Sequence, residues 1–389
     1  MARKRFKEVG MGSFFGDFVY SRIVPRDHFL VKLNQVIDWE PFTEMLLPAY
    51  KGLAERGRPP YPPVVILKML VISFLYHISE RQVEEATNFN LAIKEFVGLA
   101  VDEPAPDHST LSEFNRRLRE SGGWEKLAAI CDEVLRQAMA AGIQLGRVQV
   151  VDSVHTVADV DKDADRERRK QEKEPRDHQA QVVKKGKRRE TDADGQARTV
   201  EVRYLGYKSH TSVNAETGLI TSIVPTAGSA ADNKVFPNLL AHDEEIGVPA
   251  DIYSGDKAYD DTALHYLLWA TGKHSALQQN DYRTRVTNDH HEFWQKIADS
   301  PEYQEGRAER YKVERKYGEA KRWHGFGRCR YLGLLRYGTQ AQLTSLVLNL
   351  KRIVTLLTGV RFRPGSRKSQ VATRYGLLWR AWKSEKAVG

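Results

Sequence analysis

Two textures divide the hydrophobic positions of this chain. Between residues 27 and 140, apolar side chains recur at helical spacing. Residues 64–76 are apolar nearly all round, interrupted by Lys68 and Ser73. Pro59, Pro60, Pro62 and Pro63 mark the start of this stretch, which predicts a buried central helix. Residues 80–96 mix charged and apolar positions at the same spacing. Pro104, Pro106 and Asp107 then break the chain. Ser109 or Thr110 can cap the next helix, which carries Phe114 and Leu118 on one face, and residues 124–141 form a further helix closed by Gly142. At Arg147 the texture changes. Val148, Val150, Val151 and Val154 predict a strand, with Asp152 near its C-terminal end. Strand patterns return at 199–204, 207–214 and 219–224, the last two joined by the turn Glu216-Thr217-Gly218. Helices at 232–246, 261–271, 305–323 and 342–357 alternate with short strands at 252–254 and 275–278.

Three hairpin-linked strands followed by helix, strand, helix, strand and helix make a mixed α/β order. It suits a ribonuclease H-like sheet better than a purely parallel doubly wound one. The expected organisation is an all-α N-terminal domain over 1–145, an α/β domain over 146–359 and a basic aromatic tail over 360–389. A charged insertion at about 159–198 interrupts the α/β domain. Its run Lys184-Lys185-Gly186-Lys187-Arg188-Arg189 reads as a solvated loop or exposed helix.

With 389 residues, 41% hydrophobic and 29% charged, the chain can bury a substantial core; disorder throughout, collagen and coiled coil are excluded. Two cysteines, Cys131 and Cys329, are too few for a disulfide framework or a four-thiolate zinc site, which suits a reducing cytoplasm. The 64–76 stretch is too short to span a bilayer, and no apolar stretch with a cleavage site follows the basic N-terminus. Neither a membrane anchor nor a secretory signal is expected. The net charge of +9 is unevenly placed. Residues 301–389 hold 20 Lys and Arg against 6 Asp and Glu, a net of +14, which leaves −5 for the first 300 residues. Such a block fits a polyanion partner or a solubilising tail, and charge alone leaves both open.

Three carboxylates stand out against this background. Asp152 ends a largely apolar strand, where an ionised group needs a partner or a metal; a strand-end cap is the alternative. Asp256 follows the short strand 252–254, and Gly255 before it permits a close backbone approach; a simple turn is the alternative. If the two strands are neighbours, both carboxylates converge at one sheet edge. On the helix after the last strand, Arg310, Glu314 and Lys321 fall within about 40° of one another, while Val313, Tyr317 and Ala320 face inward. Glu319 is the rival to Glu314, although position 326, seven residues on, holds Phe rather than Lys. Three carboxylates on two strands and a helix suit two divalent cations about 3.5–4 Å apart. Lys208 and His210, on one strand face, read as sheet residues.

These residues sit among longer motifs. They include Arg58-Pro59-Pro60-Tyr61-Pro62, Ile78-Ser79-Glu80-Arg81, Phe96-Val97-Gly98-Leu99, Pro106-Asp107-His108-Ser109-Thr110-Leu111 and Phe114-Asn115-Arg116-Arg117-Leu118. Further on come Val151-Asp152-Ser153, Gly206-Tyr207-Lys208-Ser209-His210, Thr217-Gly218-Leu219, Asp256-Lys257-Ala258-Tyr259, Val313-Glu314 and Gly327-Arg328-Cys329-Arg330-Tyr331-Leu332-Gly333. In this order, over roughly residues 15–358, the chain resembles bacterial insertion-sequence DDE transposases of the branch with a helical N-terminal domain. The resemblance implies that Asp152, Asp256 and Glu314 are the catalytic and metal-binding triad. It also implies two Mg²⁺ per active site, with Mn²⁺ able to substitute. Expected partners are double-stranded DNA, both terminal inverted repeats and target, and a second copy of the chain in a homodimer. The expected setting is the bacterial cytoplasm, at the nucleoid. DNA contacts are expected at Arg307, Arg310, Lys321, Arg322, Arg328, Arg330, Arg363, Arg367 and Lys368. The family's glutamate signature begins with Tyr, and this chain has Arg307 there. The N-terminal domain is expected to bind DNA ends or to dimerise, and the tail to grip DNA or dock a second subunit. A DNA-binding repressor without catalysis, and a metal nuclease of the same fold without strand transfer, are the other readings.

Overall fold

The structure is a computed structural model and describes residues 6–10, 14–50, 59–191, 197–280 and 291–363. Helices open the chain: α1 (Phe14–Ile23), α2 (Phe29–Val36), α3 (Glu40–Leu46), α4 (Pro63–Leu75), α5 (Glu80–Phe89), α6 (Leu91–Val97), α7 (His108–Glu120) and α8 (Glu125–Ala140). As its composition demands, α4 is buried on nearly every side. Ser79 and Gln82 close a capping box on α5. The cap of α7 is Asp107, not Ser109 or Thr110. Its carboxylate accepts from the Ser109 amide at 2.7 Å while its backbone is extended, which puts both hydroxyl residues inside the first turn.

The α/β part follows with β1 (Val148–Val157), α9 (Lys162–Lys170), β2 (Gln181–Thr191), β3 (Ala197–Asn214), β4 (Ile220–Ala227), α10 (Asp232–Glu245), β5 (Ile252–Gly255), α11 (Thr262–Ala270), β6 (His274–Leu277), α12 (His291–Asp299), α13 (Pro301–Glu309), α14 (Tyr311–Trp323) and α15 (Leu334–Thr358). Apart from β2, the sheet runs β4-β3-β1-β5-β6. Pairing is antiparallel from β4 to β1 and parallel from β1 to β6. This is the ribonuclease H-like mixed sheet.

Several elements differ from their sequence patterns, each for a local reason. The two strands expected at 199–204 and 207–214 are one, β3. Gly206 does not break it: a Cβ there would lie 2.1 Å from the Thr156 carbonyl oxygen, so glycine lets β3 approach β1 closely. The run Lys184–Arg189 is not a loop or helix but part of β2. β3 overshoots β1 beyond Gly206, and β2 pairs with the backbone groups left over. The helix expected at 305–323 is two helices, separated at Arg310, where three-residue hydrogen bonds (Arg310 N to Arg307 O, Val313 N to Arg310 O, both 3.4 Å) replace the regular ladder. α15 begins eight residues before the expected start. Its second turn, Tyr337–Gln340, carries polar side chains yet is buried: Gln340 accepts from the Arg330 amide at 2.7 Å and donates to the Arg328 carbonyl at 3.0 Å.

One hydrophobic core unites α2–α8 with one face of the sheet, α10 and α15, so it crosses residue 146. A second lies under α13 and α14 on the opposite face, and Tyr337, Ala341 and Leu348 of α15 reach it. Among the described residues no single helix is long and apolar enough to cross a membrane.

Candidate active site

The parallel ladder between β1 and β5 pairs Val148 with Ile252 and Val150 with Ser254. Carried two positions further, the same register sets Asp152 beside Asp256. Asp152 therefore does not end its strand, which continues to Val157. It stands two residues past the last pair of the parallel ladder, on the stretch of β1 that keeps only its antiparallel partner β3. Asp256 caps the short turn 257–259 through one carboxylate oxygen, which accepts from the Ala258 amide at 2.9 Å. Gly255 brings this loop close: a Cβ there would meet Leu277 at 3.0 Å and the Tyr259 ring at 3.1 Å. Behind the loop, buried Asp260 faces His265 Nε2 at 3.0 Å and accepts from the Asn280 amide at 2.7 Å.

α14 crosses above this pair. Val313 and Ala320 are buried beneath it, and the Tyr317 hydroxyl donates to the Asp152 main-chain carbonyl at 2.7 Å. Glu314, one turn before Tyr317, ion-pairs with Arg310 at 3.1 Å and keeps 58% of its side chain exposed. Asp152, Asp256, Glu314, Arg310 and Lys321 line one cavity of about 450 Å³. Glu319 does not reach it. Its carboxylate turns to the other side of α14 and pairs with Lys351 at 2.5 Å and Lys316 at 3.6 Å.

Sequence reasoning missed a fourth carboxylate in this cavity, Asp232 at the start of α10. Lys208 Nζ reaches it at 3.0 Å and His210 Nδ1 at 3.2 Å. Burial pushes Asp232 up, but hydrogen bonds from His210 and Lys208 more than offset it and hold the carboxyl at about 2. An Asp in a first helical turn reads as a dipole complement, so nothing along the chain signalled this pairing. Burial, reinforced by Asp256 and Asp232, raises Asp152 to about 7, against the opposing Ser153 amide and Arg310. Crowded, partly buried carboxylate oxygens of this kind suit a hard divalent cation, whose charge would relieve the repulsion.

Residues 151–350, just over half of the chain, match the family described as "Transposase DDE domain". The chain belongs to the DDE transposases. This family catalyses DNA cleavage and strand transfer and uses divalent metal. Residues 18–117 match the family described as "Transposase domain (DUF772)". Among solved structures, the transposase is similar to a piggyBac transposase synaptic complex with hairpin DNA, at 9% identity and a TM-score of 0.37, over 92% of this chain and 79% of that one. A likeness of that depth says nothing about residue roles.

The basic residues expected on DNA are dispersed in the transposase. Arg310 and Lys321 face the carboxylates. Arg307 is exposed at the end of α13, with its guanidinium 5.8 Å from the Tyr303 ring centre. Arg322 lies over the Trp323 ring and Arg328 pairs with Asp159 at 2.9 Å. Arg330 turns towards the helical region instead. It lies 4.3 Å from the Phe74 ring centre and donates to Ser73 Oγ at 3.1 Å. Arg363 lines a different cavity. Arg367 and Lys368 lie outside the described residues. Glu84, Asp107 and His108 also come within metal-ligand reach of one another, but among the N-terminal helices. There Glu84 accepts from the His108 amide at 2.9 Å and Asp107 caps α7.

Proposed function

We propose that Asp152, Asp256 and Glu314 are the catalytic carboxylates of this transposase. They would hold Mg²⁺, with Mn²⁺ as a substitute, while the ends of its own element are cut and joined. The observation that carries the reading is the meeting of two strand carboxylates in adjacent register with one helical carboxylate in a single cavity. Held by these carboxylates, divalent cations would supply Lewis-acid activation of a water or 3′-hydroxyl and charge stabilisation for the leaving 3′-oxygen. Arg310, at the N-cap of α14, and Lys321 near its C-terminal end hold neighbouring phosphates. Tyr317 keeps Glu314 at a fixed height over β1. Asp232, locked as an anion by Lys208 and His210, adds negative potential without needing to be a ligand. The enzyme works as a homodimer on paired terminal inverted repeats in the bacterial nucleoid, and residues 1–145 contribute to end binding or pairing.

The test is a magnesium-dependent nicking assay on a duplex carrying the element's end. Asp152→Asn and Asp256→Asn should bind this duplex like wild type and fail to nick it. Wild-type nicking by both variants would place the site elsewhere.

A further inference from the structure

The second face of α14 carries a different chemistry. Lys316, Glu319 and Trp323, spaced at helical intervals, point away from the Asp152 cavity and line another of about 500 Å³ with Lys351 and Arg352 of α15 and with Arg361 and Arg363. Five cations thus surround one carboxylate. Lys316 and Lys351 are no more than 10% and 13% exposed, and they share Glu319 at 3.6 and 2.5 Å. Arg352 is anchored through Nε to the Thr217 carbonyl. His324 Nε2 lies 2.9 Å from Lys351 Nζ, and burial together with Lys351 holds that imidazole down at about 4, so it is neutral at pH 7. Burial lowers Lys316 too, and Arg352 and Lys351 add to this against Glu319.

Lys316, Lys351 and Arg352 are partly buried and Arg361 and Arg363 stand exposed at the rim; three partly buried cations against one carboxylate are costly unless a further anion completes the set. Trp323, 49% exposed at the rim, offers an aromatic face beside them. Along the sequence after Arg363 the chain stays basic: residues 364–389 contain six Lys and Arg and one Glu.

We propose that this cavity is a second DNA-phosphate site, which grips the backbone of bound DNA behind the helix that carries Glu314. The proposal rests on the DNA-cutting reading above and deepens it. A helix about 10–12 Å across separates the two cavities, which corresponds to about three base-pair rises of duplex. The phosphate held here is therefore not the scissile one. It fixes where the strand lies relative to the carboxylates.

The experiment titrates a fluorescent duplex carrying the element's end with the full chain, in metal-free buffer, across a series of salt concentrations. Arg361→Ala/Arg363→Ala and, separately, Lys316→Met are compared with wild type. Arg166→Ala/Arg203→Ala is a control at exposed arginines outside residues 1–145 and outside the proposed contacts. The proposal expects about tenfold weaker binding by the rim double variant and a log–log salt slope reduced by about 2, with the control within about twofold. Lys316→Met, if it folds with an unchanged circular dichroism spectrum, should weaken binding as well. Wild-type affinity and slope in both cavity variants would overturn the proposal. Inorganic pyrophosphate distinguishes a small-anion site. If it raises the wild-type Tm but not that of Lys316→Met, and duplex binding is unchanged in the variants, the cavity serves a free anion and the DNA assignment fails. Nicking by Asp152→Asn is read separately, so the carboxylate site can stand even if this one falls.

Discussion

The Tyr317 hydroxyl donates to the main-chain carbonyl of Asp152 at 2.7 Å and lies within hydrogen-bonding distance of the Thr211 hydroxyl. One half-buried side chain thus ties the helix carrying Glu314 to the strand carrying Asp152 and to its antiparallel neighbour. Tyr317→Phe removes the donor and keeps the ring. A loss of about 1–2 kcal/mol in unfolding free energy is expected, since a buried carbonyl and hydroxyl lose a partner. Nicking should fall about tenfold with end binding unchanged, because a small misplacement of a reacting group is costly. Denaturant titration and a nicking assay check both parts; unchanged nicking would mean that the bond does not position the site.

The pH dependence follows from Asp152. Burial, with Asp256 and Asp232 nearby, raises its carboxyl to about 7. In metal-free protein the protonated form favours the fold. This stabilisation is full below about pH 4 and is lost as pH rises through 7. Cation binding must displace that proton, so apparent Mn²⁺ affinity should rise as pH goes from about 5.5 to 7 and then level off. Calorimetric titration of Mn²⁺ at several pH values measures this. Affinity that does not change over the range would contradict it.

Asp232 should matter for stability first. Its partner Lys208 is 10% exposed, and removing the carboxylate leaves that nearly buried ammonium without its counter-ion and with only the Ala230 carbonyl to accept from it. Asp232→Asn is expected to cost about 3 kcal/mol. The sign with pH is opposite to that of Asp152. Asp232 is held at about 2, so its contribution is present above about pH 4 and lost as pH falls through 2. Denaturation of the wild type and the variant at neutral and acid pH checks this; equal stability at neutral pH would show that Lys208 finds another partner.

Arg330 divides a DNA role from a structural one. With its guanidinium over Phe74 and hydrogen-bonded to Ser73, Arg330→Ala should lower unfolding free energy by about 1–3 kcal/mol. At a temperature where the variant is folded, its affinity for end DNA and the salt slope should match wild type. A slope reduced by about 1 would restore Arg330 to the DNA contacts.

Much of this was readable along the chain because the signals were local. Valines at 148, 150, 151 and 154 marked β1, and helical spacing alone put Glu314 on one stripe with Arg310 and Lys321. What stayed hidden depended on contacts between distant segments. The strand patterns at 199–204 and 207–214 join into one strand only because Gly206 lets β3 approach Thr156 closely. Thr339 and Gln340 hid the start of α15, because burial of polar side chains shows only when their partners are in place. The spacing already favoured Glu314; what turns Glu319 away from the cavity, its pairing with Lys351 32 residues on, shows only in the fold. Asp232 joined the cavity through Lys208 and His210 on β3, a pairing with no periodicity to betray it.

The most direct test sets Glu314→Gln beside Glu319→Gln in one magnesium-dependent nicking assay on end DNA, with Asp152→Asn and Asp256→Asn as companions. The account predicts that Glu314→Gln and both aspartate variants bind the duplex and do not cut it, while Glu319→Gln cuts at a rate near wild type. Cutting by Glu314→Gln at the wild-type rate, with Glu319→Gln inactive but folded, would contradict it.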